Sequence, residues 1–241
     1  MRILVVNVNT TASMTAAIAT SARRYARADT EILATEPTWG PDSVDTFMEG
    51  YLSAAAVVER VATFDEPFDA VVLAGFGEPG REGLRELVDV PVLDVTDSAV
   101  AFACQLGYRY SVVTTLARSI PSIEQNLRNA GVLDRCASIR ATDLEVLELE
   151  QDEQRTRERL IEESRKAIED DRAEVICLGC AGMAGVDKEL EQALGVPVID
   201  GVVAAVKLAE GLYDYGLKTS KIGTFATPKA KHVQGWPRAA S

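Results

Sequence analysis

The chain has 241 residues, of which 47% are hydrophobic and 26% charged, a composition typical of one large or two small globular domains. Its formal net charge of −12 disfavours nucleic acid or an anionic membrane surface as a partner. No apolar run reaches the roughly 20 residues of a membrane-spanning helix, and the N-terminus enters a strand without a signal-peptide cleavage site. Four unevenly spaced cysteines predict no disulfide framework, which favours the cytoplasm.

Short runs rich in valine and isoleucine alternate with longer amphipathic stretches along the chain, a pattern that predicts an α/β fold with mainly parallel sheets. Strands are predicted at Ile3–Asn7, Thr30–Ala34, Ala70–Ala74, Val92–Asp94, Tyr110–Val113, Ala137–Ala141, Val175–Leu178, Val198–Asp200 and Ile222–Phe225. Helices are predicted at Ser13–Arg27, Val44–Thr63, Gly80–Val88, Asp97–Leu106, Pro121–Ala130, Glu150–Asp170, Val186–Leu194 and Val202–Tyr215.

One strand-and-turn pattern occurs twice. Residues 69–77 read DAVVLAGFG and residues 174–182 read EVICLGCAG, and each is followed by a matched string, VPVLD at 90–94 and VPVID at 196–200. The repeat predicts two pseudo-symmetric Rossmann-like halves, residues 1–97 plus 203–241 and residues 98–202, with a cleft between them. When the copies are superposed, Gly75 stands opposite Cys180, so only the second half supplies a thiol.

The strongest candidate for chemistry is Cys180, which follows a buried strand and precedes a helix. We expect backbone N–H groups and the helix N-terminus to favour its thiolate, and the small neighbours Gly179, Ala181 and Gly182 to let a substrate approach closely. A buried structural cysteine is the alternative interpretation.

Other metal or nucleophile sites find little support in the sequence. Cys177 and Cys104 are predicted to lie in the core, and nothing near Cys136 gives it a role. The C-x-x-C of residues 177–180 lacks further ligands, so no metal site is predicted. The single histidine, His232, lies in a polar tail, which disfavours a Ser-His-Asp or Cys-His arrangement unless that tail folds back.

Ligands of parallel sheets bind beyond the carboxyl ends of the strands, and four strand ends carry candidate groups. Asn9 and Thr10 either cap the next helix or hold a polar ligand, and Thr114 and Thr115 either donate to a carbonyl or carboxylate or simply end a strand. Glu78 stands in the first turn of a predicted helix, where the dipole stabilises a carboxylate in any case, and is also a candidate acid or base. Aromatic side chains that can line a pocket are those of Phe47, Tyr51 and Phe76.

Strings along essentially the whole chain resemble those of the hydantoin and allantoin racemases of the aspartate/glutamate racemase superfamily. They are MRILVVNVNT at 1–10, GPDS at 40–43, FGEPG at 76–80, SVVTTLAR at 111–118, LGCAGM at 178–183, GVPVIDG at 195–201, AAVKLAE at 204–210 and LKTSK at 217–221. The resemblance implies two α/β domains, a small-molecule substrate, no cofactor and a homo-oligomer. It also implies two cysteines that transfer protons on opposite faces of the substrate. Cys180 matches the second of them, whereas the position of the first is Gly75.

The glycine leaves three functions open, because a two-base racemase needs a proton donor on each face of a planar carbanion. In the first, another group, such as Glu78 or an ordered water, serves the face that lacks a cysteine. In the second, the enzyme protonates an enolate from one face only, as in the similar arylmalonate decarboxylases. In the third, the chain is a non-catalytic binder.

We predict the first, a cytoplasmic, cofactor-free racemase of the hydantoin racemase type with Cys180 as acid and base. The oxyanion that develops on the substrate is predicted to accept hydrogen bonds from Thr114, Thr115 and the N–H groups of Gly77, Ala181 and Gly182. Asn9 orients the substrate. The remaining predicted substrate-binding residues are Thr10, Gly75, Phe76 and Glu78.

Overall fold

The computed structural model describes residues 1–77, 79–149, 151–232 and 234–236 of the chain. The strands are β1 Arg2–Asn7, β2 Glu31–Thr35, β3 Ala70–Ala74, β4 Val92–Asp94, β5 Tyr110–Thr114, β6 Cys136–Ala141, β7 Val175–Leu178 and β8 Val198–Ile199. The helices are α1 Ala12–Tyr25, α2 Phe47–Ala62, α3 Arg81–Leu87, α4 Val95–Leu106, α5 Ile120–Asn129, α6 Glu153–Glu169, α7 Asp187–Leu194 and α8 Gly201–Asp214. No helix in these ranges is long and apolar enough to cross a membrane.

The strands form two four-stranded sheets in which every pairing is parallel, ordered β2-β1-β3-β4 and β6-β5-β7-β8. The predicted α/β fold with parallel sheets is therefore confirmed. Since β3 and β7 hold the same place in their sheets, Gly75 and Cys180 follow equivalent strands.

Each sheet is covered on both faces, as parallel sheets require. On β1, Ile3 and Val5 pack into a cluster with α1 and α8, whereas Leu4 and Val6 pack into a cluster with α2 and α3. In the second sheet, α4 and α5 contribute to one cluster and α6 and α7 to the other. Every residue of β3 and β7 is buried, and each valine removed from water in this way stabilises the fold by roughly 1.5–3 kcal/mol.

The repeated VPVxD strings each end a strand and cap the following helix. Asp94 accepts a hydrogen bond from the Asp97 N–H at 2.7 Å at the start of α4, and Asp200 accepts one from the Val202 N–H at 2.8 Å at the start of α8. The second carboxylate oxygen of Asp200 also ties in α1, because it accepts from the Ser21 hydroxyl at 2.8 Å. The repeat thus encodes a strand and a helix start in each half.

Helices α4 and α8 pack against each other, and α4 also contacts strands of both sheets. A β-carbon at Gly201 would lie 2.6 Å from the Val95 carbonyl oxygen, so the two helix starts require a glycine there. Helix α8 contacts α1, β3 and β4. The exact division into residues 1–97 plus 203–241 and residues 98–202 stays a prediction.

The strand predicted at Ile222–Phe225 is wrong. Ile222 is 88% exposed, and residues 223–225 form a 3-10 turn that begins at a positive φ of Gly223. The segment lies along α3 instead of a sheet edge, since the Lys221 ammonium donates to the carbonyl oxygens of Arg85 and Glu86 at 2.8 and 3.0 Å. The β-branched and aromatic residues of this segment led to the strand prediction, but residue type alone does not show whether a segment joins a sheet.

Candidate active site

A cavity of about 500 Å³ lies beyond the carboxyl ends of the strands, where the two sheets face each other. The ends of β1, β3, β5 and β7 form its floor, and the segment 44–47, the start of α2 and the start of α5 form its rim. This is the position at which parallel α/β proteins bind ligands.

Most of the sequence-predicted site residues meet in this cavity. Those that line it are Asn9, Gly75, Phe76, Gly77, Thr114, Thr115, Cys180, Ala181 and Gly182, together with the aromatic residues Phe47 and Tyr51. Thr10 is not among the lining residues, because its N–H and hydroxyl both donate to the Pro41 carbonyl, at 3.0 and 3.3 Å. Glu78 lies outside the described residues.

Cys180 is part-buried at the start of a three-residue 3-10 turn, Ala181–Met183, and the Gly182 N–H lies 3.4 Å from its sulfur. Burial raises the pKa of the thiol to about 11, although the N–H groups of Gly182 and Met183 lower it. The expected N–H groups therefore do favour the thiolate, but burial has the larger effect on the pKa. The turn is short, α7 begins only at Asp187, and desolvation outweighs two backbone dipoles. At neutral pH the thiol carries its proton.

The two glycines beside Cys180 have different reasons to be glycine. A β-carbon at Gly179 would lie 2.8 Å from a methyl group of Val112 and 3.0 Å from the Val113 carbonyl oxygen, so this glycine lets β7 approach β5. A β-carbon at Gly182 would lie 3.1 Å from Leu149 and 3.5 Å from the Cys180 sulfur. Only the second glycine borders the sulfur itself.

Several of the predicted oxyanion donors already have partners. The Thr114 hydroxyl donates to the Gly179 carbonyl at 3.1 Å, and the Gly77 N–H donates to the Thr96 hydroxyl at 3.3 Å. The Thr115 hydroxyl, in contrast, has no hydrogen-bond partner within the part of the chain that the structure describes. The Thr115 hydroxyl is therefore a donor that a substrate oxygen could use.

Asn9 is buried, and its amide is oriented from within the protein. The amide oxygen accepts from the Asn7 side-chain amide at 2.8 Å and from the Thr11 N–H at 3.0 Å. The Asn9 Nδ2 group donates to the Met14 sulfur at 3.2 Å, which is a weak acceptor. The Asn9 N–H₂ group is therefore fixed in direction and retains donor capacity toward the cavity.

Val8, Asp45 and Arg118 are among the lining residues that the sequence analysis missed. A β-carbon at Gly75 would lie 2.5 Å from both γ-carbons of Val8. The local sequence holds no signal for this contact, because the two residues follow different strands. Asp45 precedes the N-cap of α2 and has the sequence context of an ordinary helix start. Arg118 ends the string SVVTTLAR at 111–118, but the sequence does not show that its side chain lines a cavity.

Asp45 and Arg118 place opposite charges at the rim. One Asp45 oxygen accepts from the Ser43 hydroxyl at 2.8 Å, while the other is buried without a hydrogen-bond partner among the described residues. Burial raises the pKa of Asp45, and the Ser43 hydrogen bond and the Arg118 guanidinium lower it. Within the described ranges Arg118 makes no ion pair.

In the same ranges no group of three or more His, Cys, Asp or Glu side chains is arranged to hold a metal ion.

Comparisons with known proteins agree with this geometry. A family model described as Asp/Glu/Hydantoin racemase matches residues 3–209. A hydantoin racemase from Pseudomonas sp. (strain NS671) is 44% identical over 98% of this chain and 95% of its own. An allantoin racemase from Pseudomonas fluorescens has a crystal structure with a TM-score of 0.96 and 55% identity, covering 98% of this chain and all of that one. An allantoin racemase from Klebsiella pneumoniae gives a TM-score of 0.95 and 38% identity, covering 98% and 97%. The chain therefore belongs to the Asp/Glu/Hydantoin racemase family and is an enzyme of the hydantoin and allantoin racemase type.

Proposed function

We propose that this protein is a cofactor-independent racemase that inverts the stereocentre of allantoin or a 5-substituted hydantoin, with Cys180 as a proton-transfer group. The observation that carries the proposal is the position of the Cys180 thiol in the cavity between the halves, beside the Gly182 N–H. The similarity to relatives named hydantoin racemase and allantoin racemase supports the substrate class.

The chemistry follows from the acidity of a C–H bond next to a carbonyl. When a base removes that proton, the bonding pair moves into the carbonyl group and leaves a planar carbon and an oxyanion. The Thr115 hydroxyl and the Asn9 amide N–H₂ are the donors available for this oxyanion. The S–H of Cys180 then gives its proton to one face of the carbon, and the thiolate that results accepts a proton in the reverse reaction.

A raised pKa suits the thiol to this role. A group with a pKa of about 11 is almost fully protonated at neutral pH, so the resting enzyme holds Cys180 as an acid. It becomes a base only after it has delivered its proton, or after another group has changed the local charge. The second face then needs a partner that is ionised at neutral pH.

A second candidate function is supported by the contact between Val8 and Gly75. In this candidate the first half supplies no proton-transfer group. An enolate then forms by another route, such as loss of carbon dioxide from a malonate, and Cys180 protonates it from one face alone. Such an enzyme yields one enantiomer. A homo-oligomer remains a prediction from the resemblance, and a cytoplasmic location remains a prediction from the cysteine pattern.

The test follows single enantiomers of allantoin and of 5-substituted hydantoins in D₂O by NMR and circular dichroism, with a protein-free control for spontaneous racemisation. The wild type is expected to incorporate one deuterium and to invert the centre. Cys180→Ser is expected to lose roughly 10²–10⁴-fold in rate, the usual range for a general acid or base. An inactive wild type, or a Cys180→Ser variant as fast as the wild type, would contradict the proposal. Release of carbon dioxide from arylmalonates without inversion of hydantoins would favour the second candidate.

A further inference from the structure

The cavity contains one described carboxylate besides the thiol of Cys180. Among the described lining residues, the ionisable side chains are those of Asp45, Tyr51, Arg118 and Cys180. The Arg118 guanidinium carries only hydrogen-bond donors, and the Tyr51 side chain is 74% exposed at the rim. Asp45 is therefore the described group in the cavity that is able to act as a base at neutral pH.

Asp45 belongs to the first half, whereas Cys180 belongs to the second. It lies in the connection between β2 and α2, where its N–H donates to the Glu49 carboxylate at 2.8 Å. The next residue, Thr46, caps α2 and closes a capping box with Glu49. The backbone beneath the Asp45 side chain is thus held by the start of a 16-residue helix.

The carboxylate of Asp45 is only half-satisfied. Ser43 donates to Oδ2 at 2.8 Å, and Oδ1 is buried without a hydrogen-bond partner among the described residues. A buried carboxylate oxygen without a donor is unfavourable unless something else is bound beside it. A substrate in the cavity is the group that can fill this role.

The charges of Asp45 and Cys180 influence each other. Asp45 and Cys180 line the same cavity, and the Asp45 carboxylate contributes to the raised pKa of the Cys180 thiol. Burial and the nearby carboxylates of Glu49 and Asp42 raise the pKa of Asp45, while Ser43 and Arg118 lower it. The net result is a raised pKa for both the Asp45 carboxyl and the Cys180 thiol, an acid of each kind in one cavity. A pair of groups with separated pKa values is the usual signature of an acid and a base in one site.

We propose that Asp45 is the proton-transfer group of the first half, in the place of the thiol that Gly75 does not supply; this inference rests on the proposed racemase function. The Asp45 carboxylate takes the proton from the stereocentre on one face, and the bonding pair moves into the carbonyl group. Cys180 gives its S–H proton to the opposite face as the pair returns to carbon. The enzyme is left with a protonated Asp45 and a Cys180 thiolate, which either catalyse the reverse reaction or exchange protons with water.

The experiment compares wild type, Asp45→Asn, Cys180→Ser, Glu78→Gln and Asp42→Asn on both enantiomers of allantoin in D₂O. Asp42→Asn is the matched control, because it removes an equal charge from the same connection at an exposed residue that does not line the cavity. Inversion and deuterium incorporation are measured separately, and circular dichroism and thermal unfolding verify that each variant is folded.

Asp45→Asn is expected to lose inversion by about 100-fold or more. Cys180→Ser is expected to retain deuterium exchange, without inversion, of the enantiomer whose C–H faces Asp45, because the carboxylate still removes that proton and can return a deuteron to the same face. Asp42→Asn is expected to keep inversion within about threefold of the wild type.

Three results would count against the proposal, and they differ from one another. Inversion by folded Asp45→Asn within threefold of an active wild type would overturn the role of Asp45 alone. Loss of inversion in Glu78→Gln with retention in Asp45→Asn would assign the first face to Glu78. Absence of exchange and inversion in the wild type would overturn the racemase function itself, and the role of Asp45 with it.

Discussion

The side chain of Val8 occupies the space into which a side chain at residue 75 would project. A β-carbon at Gly75 would lie 2.5 Å from each γ-carbon of Val8 and 3.0 Å from its β-carbon. Val8 itself has little room to move, because it packs in the cluster that contains Val57 and Leu84, and the Ser53 hydroxyl bonds its carbonyl oxygen. Gly75 and Val8 thus form a complementary pair, and the wall that faces the cavity there is apolar.

Restoring a thiol at residue 75 should require a change at Val8. Gly75→Cys alone is expected to destabilise the protein by about 1–3 kcal/mol, because the new side chain overpacks a filled site. In the double variant Val8→Ala/Gly75→Cys the nearest atom of residue 8 is its β-carbon, which a small shift accommodates. The measurement is chemical denaturation of both single variants and the double variant. A favourable coupling of about 1 kcal/mol or more is expected, and additive effects would show that the two sites are independent.

The reactivity of Cys180 should follow its raised pKa. Alkylation by iodoacetamide is expected to rise about tenfold per pH unit between about pH 7 and pH 10, because only the thiolate reacts and its fraction grows tenfold per unit below the pKa. Asp45→Asn removes a nearby negative charge, so its profile should shift to lower pH. Mass spectrometry of the Cys180 peptide separates it from Cys104 and Cys136.

Asp42→Asn controls for the change in net charge in that experiment. A profile for Asp45→Asn that coincides with the profile for Asp42→Asn would show that the Asp45 carboxylate does not act on the thiol.

Replacement of Arg118 should move the acid limb of the pH–rate profile. If Asp45 acts as an ionised base, inversion is lost as pH falls through its pKa. The Arg118 guanidinium lowers that pKa, so Arg118→Gln is expected to raise it and to shift the loss of kcat/KM to higher pH. Arg128→Gln, in an exposed ion pair on α5, is the control and should leave the limb in place. An unchanged limb in Arg118→Gln would count against an ionised Asp45 beside Arg118.

The buried ion pair below the site should matter for stability. Arg81 donates to Asp94 at 2.9 Å and to Asp97 at 2.8 Å, and the Asp94 side chain is completely buried. Arg81→Met is expected to cost about 3–5 kcal/mol, because it leaves a buried carboxylate without its cation. Arg128→Met, whose partner Glu124 is exposed, should cost less than about 0.5 kcal/mol. Equal midpoints in urea for the two variants would contradict this assignment.

Gly179 should be intolerant of any side chain. Gly179→Ala places a β-carbon 2.8 Å from Val112 and 3.0 Å from the Val113 carbonyl oxygen, so it is expected to cost about 1–3 kcal/mol and to displace Cys180. Gly211→Ala in α8, where nothing lies within 4 Å of the added atom, should instead stabilise the protein by roughly 0.5–1 kcal/mol. Thermal unfolding of the two variants checks the sign of each effect.

The sequence alone was sufficient for the fold class and for most element positions. Completely buried strands such as β3 and β7 appear as continuous runs of valine, isoleucine and leucine, and the repeated VPVxD strings mark a strand end and a helix cap in each half. The sequence also singled out Cys180, because small residues follow a buried strand at that point, and the residue lines the cavity. Each of these signals lies within a short stretch of sequence, so it can be recognised without the tertiary structure.

The tertiary structure decided what surrounds the thiol. The raised pKa of Cys180 depends on how much protein and how little water lies around it, and no motif encodes that balance. Asp45 and Val8 come to the site from other connections of the first half, at sequence positions far from residue 180. Desolvation, Coulomb interaction and steric exclusion act through space, so only the folded chain shows that an apolar wall faces Gly75 and that a carboxylate stands near the thiol.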